Sequence, residues 1–142
     1  MKLKLQLTIS FSLFQKYSYF CIQKKEIYMR FSENIINDVC LIKVDLEQAS
    51  IIHSVEFKKF LFNCIDNGQK KIIVDLSTCK QTDSTFMGTL VAGKKHSETT
   101  GGEIALVITA EIVSAMFVIS RMDKVFNIFD SVEAGLQHYA KS

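Results

Sequence analysis

The stretch that decides the fold is residues 71–88, KIIVDLSTCKQTDSTFMG. It opens at residues 71–76 with the apolar run Ile72-Ile73-Val74, which ends in Asp75-Leu76 and is typical of a strand covered on both faces. A polar loop at residues 77–82 follows, and the next helix is predicted to begin at about Ser84. Asp83 then stands at the N-cap position, where a side-chain oxygen can accept a hydrogen bond from the first turn. The stretch therefore predicts a strand, a loop and a helix of an α/β domain.

Upstream of this unit, the sequence predicts an antiparallel pair of strands and a helix. The strands are predicted at residues 29–32 and 39–46, joined by a turn at residues 34–38. That turn is rich in Asn and Asp, which tolerate unusual backbone angles, and so short a connection implies antiparallel pairing. Apolar residues, Val55 among them, then recur at helical spacing from about residue 52 to residue 66.

Downstream, strands and helices continue to alternate. A helix is predicted from Ser84 to about residue 100, where Gly101-Gly102 ends it, and a buried strand follows at residues 103–108. The next helix, at residues 110–121, is predicted to be capped by Thr109. A short strand at residues 125–129 then leads to a last helix, whose predicted capping box is Asp130 with Glu133. No proline, linker or internal repeat interrupts this order. The sequence therefore predicts a single α/β domain, a mixed β-sheet with about four packed helices.

The first 28 residues stand outside this pattern. Lys2 and Lys4 begin a stretch in which apolar residues alternate with polar ones, which is a strand pattern. The stretch has no small-residue cleavage site of a signal peptide, and a membrane span would need about 20 largely apolar residues. We therefore expect residues 1–28 to be an extension outside the fold and residues 29–142 to form the domain.

Composition and cysteine usage narrow the class of protein. The 142 residues include 17 basic and 15 acidic side chains, and 48% are hydrophobic. This nearly equal number of basic and acidic side chains does not favour nucleic acid as a partner. The four cysteines, Cys21, Cys40, Cys64 and Cys79, contain no C-x-x-C pair and are interpreted as reduced thiols, mostly in the core. The sequence therefore predicts a cytoplasmic protein with no nucleic-acid or membrane partner.

No catalytic or metal-binding motif is present in the sequence. The chain lacks a phosphate-binding loop, a dinucleotide-binding loop, a zinc-protease helix and a nucleophile elbow. Its histidines, His53, His96 and His138, share no ligand spacing. Ser84 and His96 fall on one predicted helix, about 18 Å apart along its axis, so they cannot form a nucleophile–base pair. We expect no enzyme activity, no cofactor and no metal.

The remaining candidate is the polar turn Thr82-Asp83-Ser84-Thr85. It lies after a buried strand and at a helix start, the edge where α/β folds usually place their sites. Capping of the helix by Asp83 would by itself account for these residue types. A hydroxyl in the first turn also faces free backbone N–H groups and the positive end of the helix dipole, which favour an attached phosphate. The neighbouring Asp83 would oppose that phosphate.

Five segments of the chain form a recognisable series: residues 72–77, 83–88, 101–107, 121–126 and 129–133. In order and spacing they resemble STAS domains, and in particular the bacterial anti-sigma factor antagonists. The resemblance covers about residues 29–139, which is nearly all of the chain apart from the extension. It implies the same single-domain fold that the alternation of strands and helices predicts.

The resemblance also implies a mechanism. In that family the serine directly after the aspartate, here Ser84 after Asp83, is phosphorylated by a partner that is both an anti-sigma factor and a serine kinase. The unphosphorylated protein binds this partner and frees the sigma factor, whereas the phosphorylated form releases the partner. A PP2C-type, metal-dependent phosphatase restores binding. The expected partner-binding residues are Asp83, Ser84, Thr85, Phe86 and Met87.

Two departures from the family pattern bear on the identity of the partner. Phe86 stands where the family commonly has a glycine, two residues after the serine. Its bulk is expected to change how closely a partner can approach. Residues 47–53 also lack the glycine and the aspartate that many members carry there.

Two other functions stay open on the sequence. One is a STAS subunit of a larger assembly, such as a stress-signalling scaffold or a lipid-transport complex, in which Ser84 only caps the helix. The other is an aspartyl phospho-acceptor that uses Asp75 or Asp83. Against this second function, the chain lacks an acidic pair at the end of the first strand and a matching lysine.

Overall fold

The computed structural model describes residues 30–141, so the predicted extension at residues 1–28 lies outside the described residues. Within this part of the chain the strands are β1 Phe31–Ile36, β2 Val39–Val44, β3 Gln48–Ala49, β4 Lys71–Asp75, β5 Gln81–Thr82, β6 Glu103–Val107 and β7 Asn127–Phe129. The helices are α1 Ile51–Asp66, α2 Ser84–Thr99, α3 Glu111–Ile119 and α4 Val132–Ala140, with a 3₁₀ turn at Met122–Lys124. The predicted α/β domain with four helices is confirmed.

Five strands form the main sheet, in the order β1-β2-β4-β6-β7. β1 and β2 are antiparallel, whereas β2, β4, β6 and β7 are parallel to one another. β4 lies at the centre, where Ile73 pairs with Leu41 on one side and with Ala105 on the other. Its run Ile72-Ile73-Val74 is fully buried, as expected for a strand covered on both faces. The sheet is therefore mixed, as predicted.

Helices cover both faces of this sheet. α1, α2 and α3 pack on one face through a core that includes Phe57, Leu90 and Phe117. α4 packs on the other face, where the buried Tyr139 donates a hydrogen bond from its hydroxyl to the carbonyl oxygen of Ile72, 3.1 Å away. Within the described chain, no helix is both long enough and apolar enough to cross a membrane. The carboxyl ends of the parallel strands lead into the loops and helix starts that form the candidate site.

The β1–β2 hairpin corrects the predicted position of the first strand. Strand β1 runs from Phe31 to Ile36, so the prediction of a strand at residues 29–32 with a turn at residues 34–38 was wrong. The turn consists of Asn37-Asp38 alone, and these residues have positive φ angles of 49° and 67°. A tight two-residue hairpin turn requires this left-handed conformation at both positions, and Asn and Asp are the residues that tolerate it.

Two predicted helix caps were also wrong. Thr109 does not cap α3, because its hydroxyl donates to the carbonyl oxygen of Ser77 at 3.1 Å, in the loop after β4. α4 is capped by Ser131 rather than by Asp130, because Ser131 Oγ accepts a hydrogen bond from the N–H of Ala134 at 3.1 Å. In both cases the loop that precedes the helix, rather than the residue type alone, decides which side chain reaches the helix start.

The cysteines of the described chain, Cys40, Cys64 and Cys79, are all buried and none forms a disulfide. The prediction that Cys40 and Cys64 belong to the core is confirmed, since both pack in the cluster between the main sheet and α1. Cys21 lies outside the described residues.

Candidate functional site

Asp83 caps two helices with one carboxylate. It is the N-cap residue of α2, where its Oδ1 accepts a hydrogen bond from the backbone N–H of Phe86 at 2.9 Å. Its Oδ2 accepts a second hydrogen bond from the backbone N–H of Ile51, the first residue of α1, at 2.8 Å. The predicted cap of α2 is confirmed, and the bond to α1 is an addition that the sequence did not predict. The two helix starts are therefore held together by this aspartate.

A second, two-stranded sheet brings the same helix starts side by side. β3 and β5 pair in parallel, Gln48 with Gln81 and Ala49 with Thr82, and a single residue separates each strand from its helix. The Thr82 hydroxyl donates to the carbonyl oxygen of Ala49 at 2.9 Å. The loop predicted at residues 77–82 therefore ends in a short strand, and that strand fixes the position of the polar turn.

Ser84 and Thr85 form the exposed first turn of α2. Within the described chain the Ser84 hydroxyl has no hydrogen-bond partner. The first turns of α1 and α2 contain no acidic residue, whereas those of α3 and α4 contain Glu111 and Glu133. Negative charge at a helix N-terminus interacts favourably with the helix dipole. Asp83 therefore provides the negative charge for two helix starts at once.

The next two residues of α2, Phe86 and Met87, point into the core. Their side chains are 0% and 4% exposed, and the ring of Phe86 stacks on that of Phe57 with the ring centroids 4.9 Å apart. Their side chains are therefore not available on the surface, which corrects the expectation that they contact a partner directly. The bulk of Phe86 lies between α1 and α2, so it does not hinder the approach of a partner to Ser84.

Exposed apolar side chains lie at the start of α1, which adjoins the start of α2. At the start of α1, Ile51, Ile52 and Val55 are 61%, 80% and 66% exposed, so Val55, which the sequence pattern groups with the other apolar residues of this helix, lies on its surface. On α2, Gly88 follows Ser84 by one helical turn and is exposed, and a β-carbon added to it would meet no other atom within 4 Å. We call Ile51, Ile52, Val55, Ser84 and Gly88 together the α1–α2 surface.

Asp75 and Cys79, which lie at the same edge of the sheet, are both buried. Asp75 is 7% exposed, and its Oδ1 accepts a hydrogen bond from the backbone N–H of Ser77 at 3.0 Å. Burial raises the pKa of the Cys79 thiol to about 12, and the nearby carboxylates of Asp75 and Asp45 act in the same direction. A thiol with so high a pKa stays protonated at neutral pH and is a poor nucleophile.

The histidines on α2 and α4 are engaged separately. His96 Nε2 lies 2.7 Å from a carboxylate oxygen of Asp66, at the end of α2 far from Ser84. His138 Nε2 lies 3.2 Å from a carboxylate oxygen of Glu103. The expectation that Ser84 and His96 do not form a pair is therefore confirmed.

Comparison with known proteins places this geometry in a family. The sequence model described as the STAS domain matches residues 26–135, which is most of the chain. The chain belongs to the STAS domain family. The match spans the five-stranded sheet, the paired starts of α1 and α2, and the polar turn between β5 and α2. The resemblance predicted from the sequence is thereby confirmed.

Known relatives of this STAS domain match it over nearly their full length. A candidate anti-sigma factor antagonist of Thermotoga neapolitana is 30% identical over 108 residues, which are 75% of this chain and 95% of the relative. The crystal structure of a candidate anti-sigma factor antagonist from Thermotoga maritima has a TM-score of 0.70 at 25% identity and covers 79% of this chain and 96% of that chain. The Bacillus cell fate determinant SpoIIAA in its phosphorylated form shares the fold, with a TM-score of 0.60 at 14% identity over 77% of this chain and 98% of that one.

Proposed function

We propose that this STAS domain is an anti-sigma factor antagonist, a binding module rather than an enzyme, and that phosphorylation of Ser84 switches its binding off. The observation that carries the proposal is the exposed Ser84 hydroxyl at a double helix start, where the adjoining start of α1 exposes the side chains of Ile51, Ile52 and Val55. Two curated relatives, 30% and 28% identical, are described as candidate anti-sigma factor antagonists, which supports an anti-sigma factor as the partner.

The unmodified α1–α2 surface is suited to a protein partner. Its exposed aliphatic side chains would be removed from water on binding, which is favourable by roughly 25 cal/mol per Å² of apolar area. Ser84 and Thr85 add neutral hydroxyls that can exchange hydrogen bonds with a partner. Gly88 presents bare backbone one turn further along α2, so a partner can approach the helix closely there.

Phosphorylation would change this surface without disturbing the fold. A phosphoserine carries a charge of about −1.5 to −2 at neutral pH. The starts of α1 and α2 favour such an anion, because their first turns contain no acidic residue and Asp83 alone serves both. A partner packed against the same turn would have to desolvate the phosphate next to the Asp83 carboxylate, which is costly without a matching cation. We therefore expect release of the partner and retention of the fold.

The geometry favours Ser84 over its neighbours as the modified residue. The Thr82 hydroxyl is already engaged, donating to the carbonyl oxygen of Ala49, and its side chain is half-buried. Ser84 directly follows Asp83, which is the order that the family resemblance requires. In this proposal a partner that is both anti-sigma factor and serine kinase phosphorylates Ser84, a PP2C-type phosphatase removes the phosphate, and all three proteins act in the cytoplasm.

The two alternative functions are less well supported. A STAS subunit of a larger assembly, with Ser84 as a simple cap residue, does not explain why the cap of α2 is Asp83 while Ser84 stays exposed and unbonded within the described chain. An aspartyl phospho-acceptor is disfavoured because Asp75 is buried and both carboxylate oxygens of Asp83 accept hydrogen bonds from helix starts.

Release of sigma factor tests the proposal. The protein is added, with ATP, to a purified complex of the sigma factor and anti-sigma factor of the same organism, and free sigma factor is followed over time. We expect wild type to release sigma factor until it becomes phosphorylated, Ser84→Ala to release it persistently, and Ser84→Asp to release little. Thr85→Ala is the matched control for the site of modification and should still become phosphorylated on Ser84, so that its release of sigma factor stops over time as that of wild type does.

Three outcomes would contradict the proposal. Equal release by the Ser84→Ala and Ser84→Asp variants, or phosphate found on Thr82 or Thr85, would exclude the Ser84 switch. Failure of the unphosphorylated protein to bind any anti-sigma factor of the organism would exclude the antagonist role. In that last case, co-purification with a transporter or a scaffold would favour the larger assembly.

A further inference from the structure

A cluster of three potential metal ligands lies between the β1–β2 hairpin and the C-terminal part of α1. It consists of Glu33, Cys40 and Cys64, whose ligand atoms all lie within 4.8 Å of one another. Cys64 Sγ is 3.0 Å and Cys40 Sγ is 3.8 Å from the same carboxylate oxygen, Glu33 Oε2. Cys64 follows Ile51 on α1 by about 20 Å along the helix axis. The cluster is therefore a site separate from the α1–α2 surface.

The fold holds these side chains together from three elements. Cys40 on β2 pairs with Ile35 on β1, and Glu33 precedes Ile35 by two residues, so Glu33 and Cys40 lie on the same face of the sheet. α1 covers that face and supplies Cys64 from its last turns. The two thiols are buried, at 0% and 4% exposed, whereas Glu33 is exposed. The carboxylate thus connects two buried thiols to solvent.

The spacing of the three ligand atoms is close to that of a tetrahedral zinc site. Two sulfur atoms and one oxygen bound to zinc would be separated by roughly 3.6–3.8 Å, given ordinary zinc–sulfur and zinc–oxygen bond lengths. The observed sulfur–oxygen distances of 3.0 and 3.8 Å differ from the tetrahedral sulfur–oxygen separation by about 0.6 and 0.2 Å, and all three ligand atoms lie within 4.8 Å of one another. Paired thiolates select soft and borderline cations, whereas Mg²⁺ and Ca²⁺ take oxygen ligands.

The protonation state of the thiols sets the conditions for binding. The hydrogen bond with Cys40, burial, and the hydrogen bond to Glu33 raise the pKa of the Cys64 thiol well above its ordinary value. Thiols bind a metal cation as thiolates, so binding of a cation releases their protons.

We propose that Glu33, Cys40 and Cys64 bind a thiophilic divalent cation, Zn²⁺ in the first place. Binding forms two metal–sulfur bonds and one metal–oxygen bond, and the two thiol protons pass to solvent. The fourth position of the tetrahedron takes a water molecule, and the exposed side of Glu33 is the path of entry.

Titration of the reduced, full-length protein with Zn²⁺ and with Cd²⁺ tests the site, in a Cys21→Ser background that removes the remaining thiol outside the described residues. We expect one ion per chain, two protons released per ion, and a cadmium–thiolate absorption band. Cys40→Ser and Cys64→Ser should abolish binding. Glu33→Gln should weaken zinc binding by at least 10–100-fold. That is the loss of affinity typical for substitution of a residue that only orients a metal ligand. Cys79→Ser, a buried thiol outside the cluster, is the matched control and should bind like wild type.

The substitution of Glu33 keeps the test decisive even if the buried serine variants fail to fold, because Glu33 is exposed. Unchanged affinity of a folded Glu33→Gln variant would overturn the three-ligand site. Absence of stoichiometric binding by the reduced wild type would overturn it as well. Binding that survives in folded Cys40→Ser and Cys64→Ser variants would place the ion elsewhere and also overturn the proposal.

Discussion

The starts of α2 and α4 use the same capping hydrogen bond in different surroundings. Asp83 accepts a hydrogen bond from the N–H three residues ahead at 2.9 Å, and Ser131 does the same at 3.1 Å. The first turn of α4 also contains Glu133, which complements the helix dipole locally. Its Gly135 is buried, and a β-carbon there would come within 3.0 Å of Ile73. Packing and capping within the domain therefore account for the start of α4.

The start of α2 has features that the fold does not need. Its hydroxyl at Ser84 is exposed and, within the described chain, unbonded. Gly88 faces open space, and Ile52 on the adjoining helix start is 80% exposed. We assign this exposed hydroxyl and apolar surface at the start of α2 to the binding of a partner.

The largest expected difference between the two helix starts is in partner binding. Ser84→Asp should weaken binding of the anti-sigma factor about 100-fold, or about 2.7 kcal/mol, because a charge would be desolvated next to Asp83. Ser131→Asp adds the same charge at α4 and keeps a good N-cap residue, so it should leave affinity unchanged. Isothermal titration calorimetry of both variants measures the difference. Equal affinities of the two variants would contradict the assignment of partner binding to the start of α2.

The next difference is in stability. Asp83→Ala removes hydrogen bonds from two helix starts and should lower the free energy of unfolding by about 2–3 kcal/mol, whereas Ser131→Ala should cost about 1 kcal/mol. Asp83→Asn keeps one acceptor oxygen for the two N–H donors and should fall between them. Denaturant unfolding followed by circular dichroism gives all three values. If Asp83→Ala costs no more than Ser131→Ala, the bond to Ile51 contributes nothing.

The exposed apolar residues should matter to the partner at one helix only. Ile52 and Ile119 are matched in exposure, at 80% and 82%, but only Ile52 belongs to the α1–α2 surface. Ile52→Ser should weaken binding of the anti-sigma factor about tenfold, or about 1.4 kcal/mol. Ile119→Ser should leave affinity unchanged, and both variants should unfold within about 0.5 kcal/mol of wild type. An equal loss of affinity for the two variants would mean that the partner surface is not localised at α1 and α2.

Alanine substitution of Gly88 in α2 and of Gly135 in α4 tests the same difference between the two helix starts. Gly88→Ala should raise the free energy of unfolding by about 0.5–1 kcal/mol, because it gains helix propensity and meets no neighbour. The same variant should bind the partner several-fold less tightly. Gly135→Ala should destabilise the domain by about 1 kcal/mol through crowding against Ile73, with partner affinity unchanged. Thermal melts and binding titrations on the same samples separate the two effects, and a Gly88→Ala variant with full affinity would contradict close approach at this helix.

The smallest expected effect concerns the extension. Removal of residues 1–28 should change the free energy of unfolding by less than about 1 kcal/mol, small against the 5–15 kcal/mol typical of a domain. The differences between α2 and α4 should then be the same in the truncated protein. A loss of several kcal/mol would mean that the alternating segment is an integral strand.

Local features of the site were predictable from the sequence, and long-range ones were not. The cap at Asp83 depends on a residue three positions away, so residue type and position suffice to predict it. The bond from Asp83 to Ile51 and the pairing of β3 with β5 join segments more than 30 residues apart, and no local pattern indicates them.

Two differences between the sequence pattern and the structure have a clear physical origin. Phe57, Leu61 and Ile65 repeat every four residues and define the buried side of α1, whereas Val55 lies two positions before Phe57 and so on the opposite side. That phase difference is visible in the sequence and would have placed Val55 on the surface. The burial of Phe86, by contrast, depends on its stacking with Phe57 on another helix, which is known only once the two helices are packed.

The central claim is that phosphate on Ser84 removes the partner while the fold persists, and one experiment on a single preparation tests it. The protein is phosphorylated to completion by its anti-sigma kinase, the modified residue is located by mass spectrometry, and affinity and melting temperature are measured before and after. We expect the phosphate on Ser84, an affinity about 100-fold lower, and a melting temperature within a few degrees of the unmodified protein. Undiminished affinity of the phosphorylated protein, or its unfolding, would contradict the claim.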